Sequence, residues 1–384
     1  MSDDLAPVIG ILERLVGFDT ISDRTNRHLV EYVADYLSAH DVPFITFPDR
    51  DGLKSGLIAK IGPDEQGGTV LSGHTDVVPV KGQTWTAEPW VLTRRDDRYF
   101  GRGACDMKGF LALALAAVPQ MIVTPLQRPV ILAFSFDEEI GCRGTGPLIE
   151  ALDAFCPRAG AVIVGEPTEM GVVTGHKGAV GLRTTVTGKA AHSSCPDRGV
   201  SAIAHAASLI DWHTREMVQA KAVASDDDYA APYTTLQVGT IHGGVAINTI
   251  PANCVFETDI RFLPSETAER WIETYRREVD EVERAMRSVH SEAGIAVEVT
   301  ENVPAMRVEV DSAAESLARR LTGDRSIRLE SYQTEAGHFQ AAGYSTVICG
   351  PGSIDQAHKP DEFISIAELQ KGRQFIDALI ETLA

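Results

Sequence analysis

Apolar positions recur with a helical period in LVEYVADYLSAHDV (29–42), then give way to the short apolar runs SGLIAKIG (55–62) and GTVLSGHTD (68–76). The first pattern predicts a helix; runs of this length bounded by turn residues predict strands. The alternation resumes downstream. GFLALALAAV reads as a helix opening directly after Asp106, PVILAFSFDEE as a buried strand, GCRGTGPLIEALD as a turn entering a helix, and GAVIVGEPT as another strand. Strands apolar on both faces and interleaved with helices predict an α/β unit.

From about Lys177 the texture changes. GAVGLRTTVTG alternates as a half-exposed strand does, and a helix is predicted from Val200 to about Val218. After the polar loop SDDDYAAP come two alternating strands, Tyr233 to His242 and Ala252 to Phe262, then a charged helix from Glu266 to Val289 and the strand IAVEVT. The order β-α-β-β-α-β predicts a ferredoxin-like split unit. Beyond about Asn302, helices flank YSTVICGPG, a strand of the first type. The expected organisation is therefore a catalytic domain in two parts, 1–176 and 303–384, interrupted by an inserted domain over 177–302.

Length and charge narrow the function. A chain of 384 residues exceeds one typical core. Its net charge of −19 would repel phosphate backbones and anionic lipid, so neither nucleic acid nor a membrane surface is expected as a partner. MSDDLAPVIGILERL lacks a basic region followed by a cleavage site, and the longest apolar run near a motif, Phe110 to Val118, is too short to span a bilayer. A cytoplasmic location is expected. The six cysteines have no CxxC pair and read as reduced, mostly buried thiols.

Four predicted strands end in ionisable residues: one runs into His74 and Asp76, one into Asp137, Glu138 and Glu139, one into Glu166, and Ser345 to Cys349 leads on to His358. The carboxyl ends of strands in open α/β sheets are where ligands bind, so these side chains are expected to converge. Two histidines with several carboxylates suit zinc, cobalt or manganese, and they are too many for one ion. Two ions sharing a carboxylate would use them. Asp106, at the mouth of GRGACDMKG, is the candidate bridge, although a helix N-cap is as natural a role. If the chain after His74 stays extended, Asp76 can accept its second N–H; likewise adjacent Glu138 and Glu139 would point apart, one to metal and one to water.

These motifs resemble a known family. SGHTDVVPV, FGRGACDMKG, FDEEIGCRGTG, GEPT, AAHSS, INTIPANCVFETDIRF and GPGSIDQAHKPDEFI occur in the order found in the co-catalytic zinc amidohydrolases. That family includes acetylornithine deacetylase, succinyl-diaminopimelate desuccinylase, carboxypeptidase G and aminoacylase, and the first is the branch most resembled. The resemblance implies an aminopeptidase-like catalytic domain with an inserted ferredoxin-like dimerisation domain. It implies that one Zn2+, with Co2+ able to substitute, takes His74 and Glu166, a second takes Glu139 and His358, and Asp106 bridges them. Glu138 would be the general acid/base and Asp76 the partner of His74. In the inserted domain His192 would polarise the scissile carbonyl, from across a homodimer, and Asn248 and Arg261 would bind the substrate carboxylate. An arginine on a strand paired to an acid is the plainer reading of Arg261. Glu335 is a candidate contact for a cationic substrate side chain.

The expected activity is removal of an acyl group, foremost acetyl from N2-acetyl-L-ornithine, with a succinyl substrate, acetylcitrulline or a dipeptide as alternatives. A carboxylate-bridged di-iron oxidase would need two Glu-x-x-His pairs on bundle helices. Only Glu335 to His338 has that spacing. A metal-free binding protein would have lost a ligand or Glu138, and none is missing.

Overall fold

The computed structural model describes residues 5–223 and 228–384. The first four residues of the N-terminal segment and Ala224 to Asp227, in the polar loop, lie outside them. The chain divides into two compact units, 5–174 with 308–328 and 334–384, and 175–307 with 329–333.

The first unit is built on a six-stranded mixed sheet in the order Phe44–Pro48, Ser55–Ile61, Val130–Ser135, Thr69–His74, Ala161–Pro167, Thr346–Gly350. The last four of these strands run parallel and the first two form an antiparallel hairpin at one edge. Every residue of Thr69–His74, Val130–Ser135 and Ala161–Pro167 is buried, as expected of strands covered on both faces. Leu71, Leu132, Phe134 and Ile163 point into a core shared with helices Ala6–Val16, Lys108–Ala116 and Ile366–Leu383. Burying each such side chain contributes about 1.5–3 kcal/mol. Period-2 alternation turns Ser72, His74, Ser135 and Glu166 to the opposite face.

Helix Lys108–Ala116 is buried along all of its residues. Its N-cap is Met107 and no side chain caps it, so Asp106 is left to another use. Helix Ile366–Leu383 starts where Ser365 accepts the Glu368 N–H. Among the described residues no helix is long and apolar enough to cross a membrane.

The second unit is an antiparallel sheet ordered Thr235–Gly243, Asn253–Phe262, Gly178–Thr187, Gly294–Val303. Helices Ala202–Ala222 and Ala268–Val289 complete the β-α-β-β-α-β order. Ser201 and Thr267 cap the two helices. Trp212, Phe256, Trp271 and Tyr275 fill the core between helices and sheet, and Tyr275 hydrogen-bonds Thr184 at 2.8 Å. A two-residue strand, Leu329–Glu330, pairs with Gly175–His176 and adds 329–333 to this unit.

Candidate metal centre

The parallel strands of the first unit deliver their terminal residues to one edge of the sheet. His74 is the last residue of its strand and Glu166 the penultimate residue of the neighbouring one. His74 Nε2 lies 3.0 Å from Asp106 Oδ1 and 3.6 Å from Glu166 Oε1. His358 Nε2 lies 2.9 Å from Glu139 Oε2 and 3.4 Å from Asp106 Oδ2. The two oxygens of Asp106 thus face two different histidine–carboxylate pairs. Glu138 joins His74 and Glu166 in a set of donor atoms within 4.8 Å of one another. His74, Asp106, Glu138 and Glu166 are buried, whereas the His358 side chain is 57% exposed.

Asp137 and His358 both adopt left-handed backbone conformations, with φ of 56° and 63°. Non-glycine residues held there are strained and need support from their surroundings. Lys54 supplies it at Asp137: its ammonium group binds that carboxylate and the Ser22 carbonyl in a largely buried ion pair.

Electrostatics follow from crowding several acids into one buried site. Burial, then the Asp106 charge, pushes Glu139 up to about 7. The same two causes hold Glu166 well above the carboxylate range, and burial does so for Glu138. Burial would raise Asp106 as well, but hydrogen bonds from His358 and His74 hold it below its usual value. Hydrogen bonds to Asp106 and Glu139 push His358 up to about 10.

The residues fit metal ions by two observations. Glu166 Oε1 is buried with no hydrogen-bond partner, an arrangement that costs free energy unless something else meets the oxygen. The donors are imidazole nitrogen and carboxylate oxygen without thiolate, a set suited to zinc and similar divalent ions.

One expectation gains detail and one needs correction. His74 Nδ1–H donates to the Asp76 backbone carbonyl at 2.9 Å, while the Asp76 carboxylate lies 3.6 Å away. The strand ends at His74, so the chain has turned and the Asp76 carbonyl takes the hydrogen bond, while the carboxylate stays beside the imidazole as an ion-pair partner. The Asp76 carboxylate also accepts the N–H groups of Glu138 (3.1 Å) and Glu139 (3.3 Å) and the Ser22 hydroxyl (2.7 Å). Glu335 is fully buried and accepts from Ser72 Oγ at 2.6 Å and Ser135 Oγ at 2.8 Å. Its carboxylate is occupied inside the fold rather than open to a substrate side chain, and the Glu335–His338 pair supplies no ligand to the cluster.

In the second unit, His192 is exposed and its Nδ1 hydrogen-bonds Ser194 Oγ at 2.7 Å. Asn248 is exposed and its carbonyl accepts the Ser193 N–H at 3.0 Å. Arg261 Nε donates to Asp259 Oδ2 at 3.0 Å, the strand pairing with an acid that was the plainer reading. Ser22, Lys54, Arg102 and Glu362 were missed. Their partners lie far off in the chain, and only Arg102 and Glu362 fall within the quoted motifs.

Residues 70–382 match the peptidase family M20/M25/M40. The chain is 31% identical to the acetylornithine deacetylase of Photorhabdus laumondii over 99% of this chain and 98% of that one. It is 33% identical to the acetylornithine deacetylase of Pasteurella multocida over 93% and 91%. Its fold matches an M20 family metallo-carboxypeptidase, Sso-CP2 from Sulfolobus solfataricus, with a TM-score of 0.77, 18% identity and coverage of 99% of both chains. It also matches Bacillus subtilis YXEP, a dinuclear metal binding peptidase of the M20 family, with a TM-score of 0.62, 15% identity and coverage of 100% and 99%. With a family match over most of its length and relatives above 30% identity, the chain belongs to peptidase family M20/M25/M40.

Proposed function

We propose that the protein is a two-metal amidohydrolase that cleaves the acyl–nitrogen bond of N-acyl amino acids, with N2-acetyl-L-ornithine as the first substrate to test. The observation that carries this reading is the Asp106 carboxylate, whose oxygens face His74 at 3.0 Å and His358 at 3.4 Å. His74, Glu166 and Asp106 would hold one ion; Glu139, His358 and the same Asp106 would hold the other. Zinc is proposed, with cobalt able to replace it. Ions of this kind, when bound, lower the pKa of water and polarise an amide carbonyl.

The chain's own residues do the remaining work. Glu138, not needed as a ligand in this assignment, takes a proton from the attacking water and returns it to the amine nitrogen as the C–N bond breaks. Asp76 fixes the backbone of Glu138 and Glu139 through their N–H groups. His192 is proposed to meet the developing oxyanion from the other subunit of a homodimer, and Asn248 and Arg261 to bind the substrate carboxylate. The names of the relatives support the acetylornithine reading. A cytoplasmic location is proposed with it.

An amine-release assay over a panel of N-acyl amino acids and dipeptides, with chelator and with added Zn2+ or Co2+, tests the reading. Release from acetylated amino acids, lost on chelation and restored by metal, is expected. A preference for succinylated substrates or dipeptides would move the substrate assignment, and turnover that survives complete metal removal would overturn the reaction class.

A further inference from the structure

The loop that presents Asp106 is held from one point. Glu362 is 1% exposed, and its carboxylate collects four donors from residues 102–106. Oε1 accepts the N–H groups of Cys105 (2.8 Å) and Asp106 (3.0 Å). Oε2 accepts the Gly103 N–H (3.0 Å) and Arg102 Nη1 (2.7 Å). Arg102, also 1% exposed, donates its other terminal nitrogen, Nη2, to Gln83 Oε1 at 2.6 Å. Gln83 Nε2 in turn donates to the His358 carbonyl at 2.8 Å. One continuous network therefore begins at the backbone of the shared carboxylate and ends at the backbone of a histidine of the second pair.

We infer that Glu362 is the positioning residue of the metal centre: it sets Asp106 between the two ion positions and, through Arg102 and Gln83, fixes the loop of His358. The inference rests on the two-metal reading above. Its physical basis is directional. Backbone N–H groups bonded to a fixed carboxylate define the peptide planes on either side of Cys105, hence the direction in which the Asp106 side chain leaves the chain. A planar guanidinium forks between Glu362 and Gln83 and so couples the two loops at a set distance, which a flexible ammonium would not. The strained backbone of His358, at φ 63°, needs such a tether.

The test is metal affinity, read by calorimetric titration of chelator-treated protein with Zn2+ and by the visible spectrum on adding Co2+. Glu362→Gln keeps the volume but offers one acceptor oxygen in place of two, so two of the four donors lose their partner. Because Asp106 is shared, both ions should bind about 10- to 100-fold more weakly, the range for removing a group that orients ligands. Gln83→Leu should weaken the ion of the Glu139–His358 pair alone and change half of the cobalt spectrum. Thermal melting of the metal-free variants, within a few degrees of the parent, separates positioning from a folding defect. Wild-type affinity for both ions in Glu362→Gln overturns the inference. If that variant does not fold, Gln83→Leu decides, and unchanged binding of both ions there overturns it. Failure of the parent protein to bind two ions would instead refute the metal-centre reading itself, and the inference with it.

Discussion

Asp76→Asn is a near-isosteric change at a residue whose carboxylate accepts from the N–H groups of Glu138 and Glu139 and from the Ser22 hydroxyl. The amide can keep one oxygen. Placed where Oδ2 now lies, that oxygen retains Ser22 and Glu139, and the NH2 group then confronts the Glu138 N–H. A buried N–H left without an acceptor costs about 1–3 kcal/mol, and weakening two charge-assisted bonds to neutral ones adds about 1 kcal/mol. A stability loss of about 2–4 kcal/mol is therefore expected. The catalytic effect should exceed that of a remote mutation of equal cost, because the group released is the backbone of the proposed base. Misplacement by about 1 Å can cost about 100-fold in rate. The assay is urea unfolding together with kcat and KM at saturating Zn2+, with metal content measured on the same sample. Full metal content, kcat within twofold of the parent and stability within about 0.5 kcal/mol would refute the role given to this carboxylate.

Further predictions follow from individual groups. Glu335→Gln should leave KM for both basic and neutral substrates within about threefold, because the serine hydroxyls can rotate to pair with an amide; a large rise confined to basic substrates would restore Glu335 as their contact. Burial pushes His213 down from 6.5 to about 4, so the folded chain resists protonation while the unfolded chain accepts it, and stability falls as pH drops from about 6.5 towards 4. The ceiling of this loss is roughly 3 kcal/mol. Urea unfolding of metal-free parent and His213→Leu at pH 7.5 and pH 5 checks it: equal losses in the two proteins would contradict the assignment. Mixing Glu138→Ala with His192→Ala subunits under exchange should regain activity at about one quarter of the sites if His192 acts across a dimer. Proven exchange with no recovery would place it in its own subunit.

The parallel strands were legible because short apolar runs ended in titratable residues, and the convergence of His74, Glu166 and the Glu138–Glu139 segment followed from that pattern alone. What the pattern missed depends on where each strand stops. Extending the chain past His74 put the Asp76 carboxylate alone against the imidazole, whereas the turn brings the Asp76 carbonyl to Nδ1 as well and lets the carboxylate, 3.6 Å from Nδ1, hold the N–H groups of Glu138 and Glu139. Glu335 was misread because its partners, Ser72 and Ser135, sit on two different strands and nothing local marks them as hydroxyl donors. Glu362 reaches residues more than 250 positions earlier in the chain; no period or spacing carries such a contact. Leu329–Glu330 is too short a strand to leave a periodic signal. A strand arginine paired to an acid was legible at Arg261, and the acid the structure supplies, Asp259, is two positions away on the same strand.

The claim on which the rest depends is that two ions share Asp106 while Glu138 remains outside their coordination and moves protons. The most direct measurement is the metal content of purified Glu138→Ala set beside its rate. Two ions per chain, with activity reduced by about 100- to 10,000-fold or more, are expected from removing a general base while leaving the ligands intact. Loss of an ion in Glu138→Ala, with Glu139→Ala retaining both, would contradict the assignment and exchange the roles of the two glutamates.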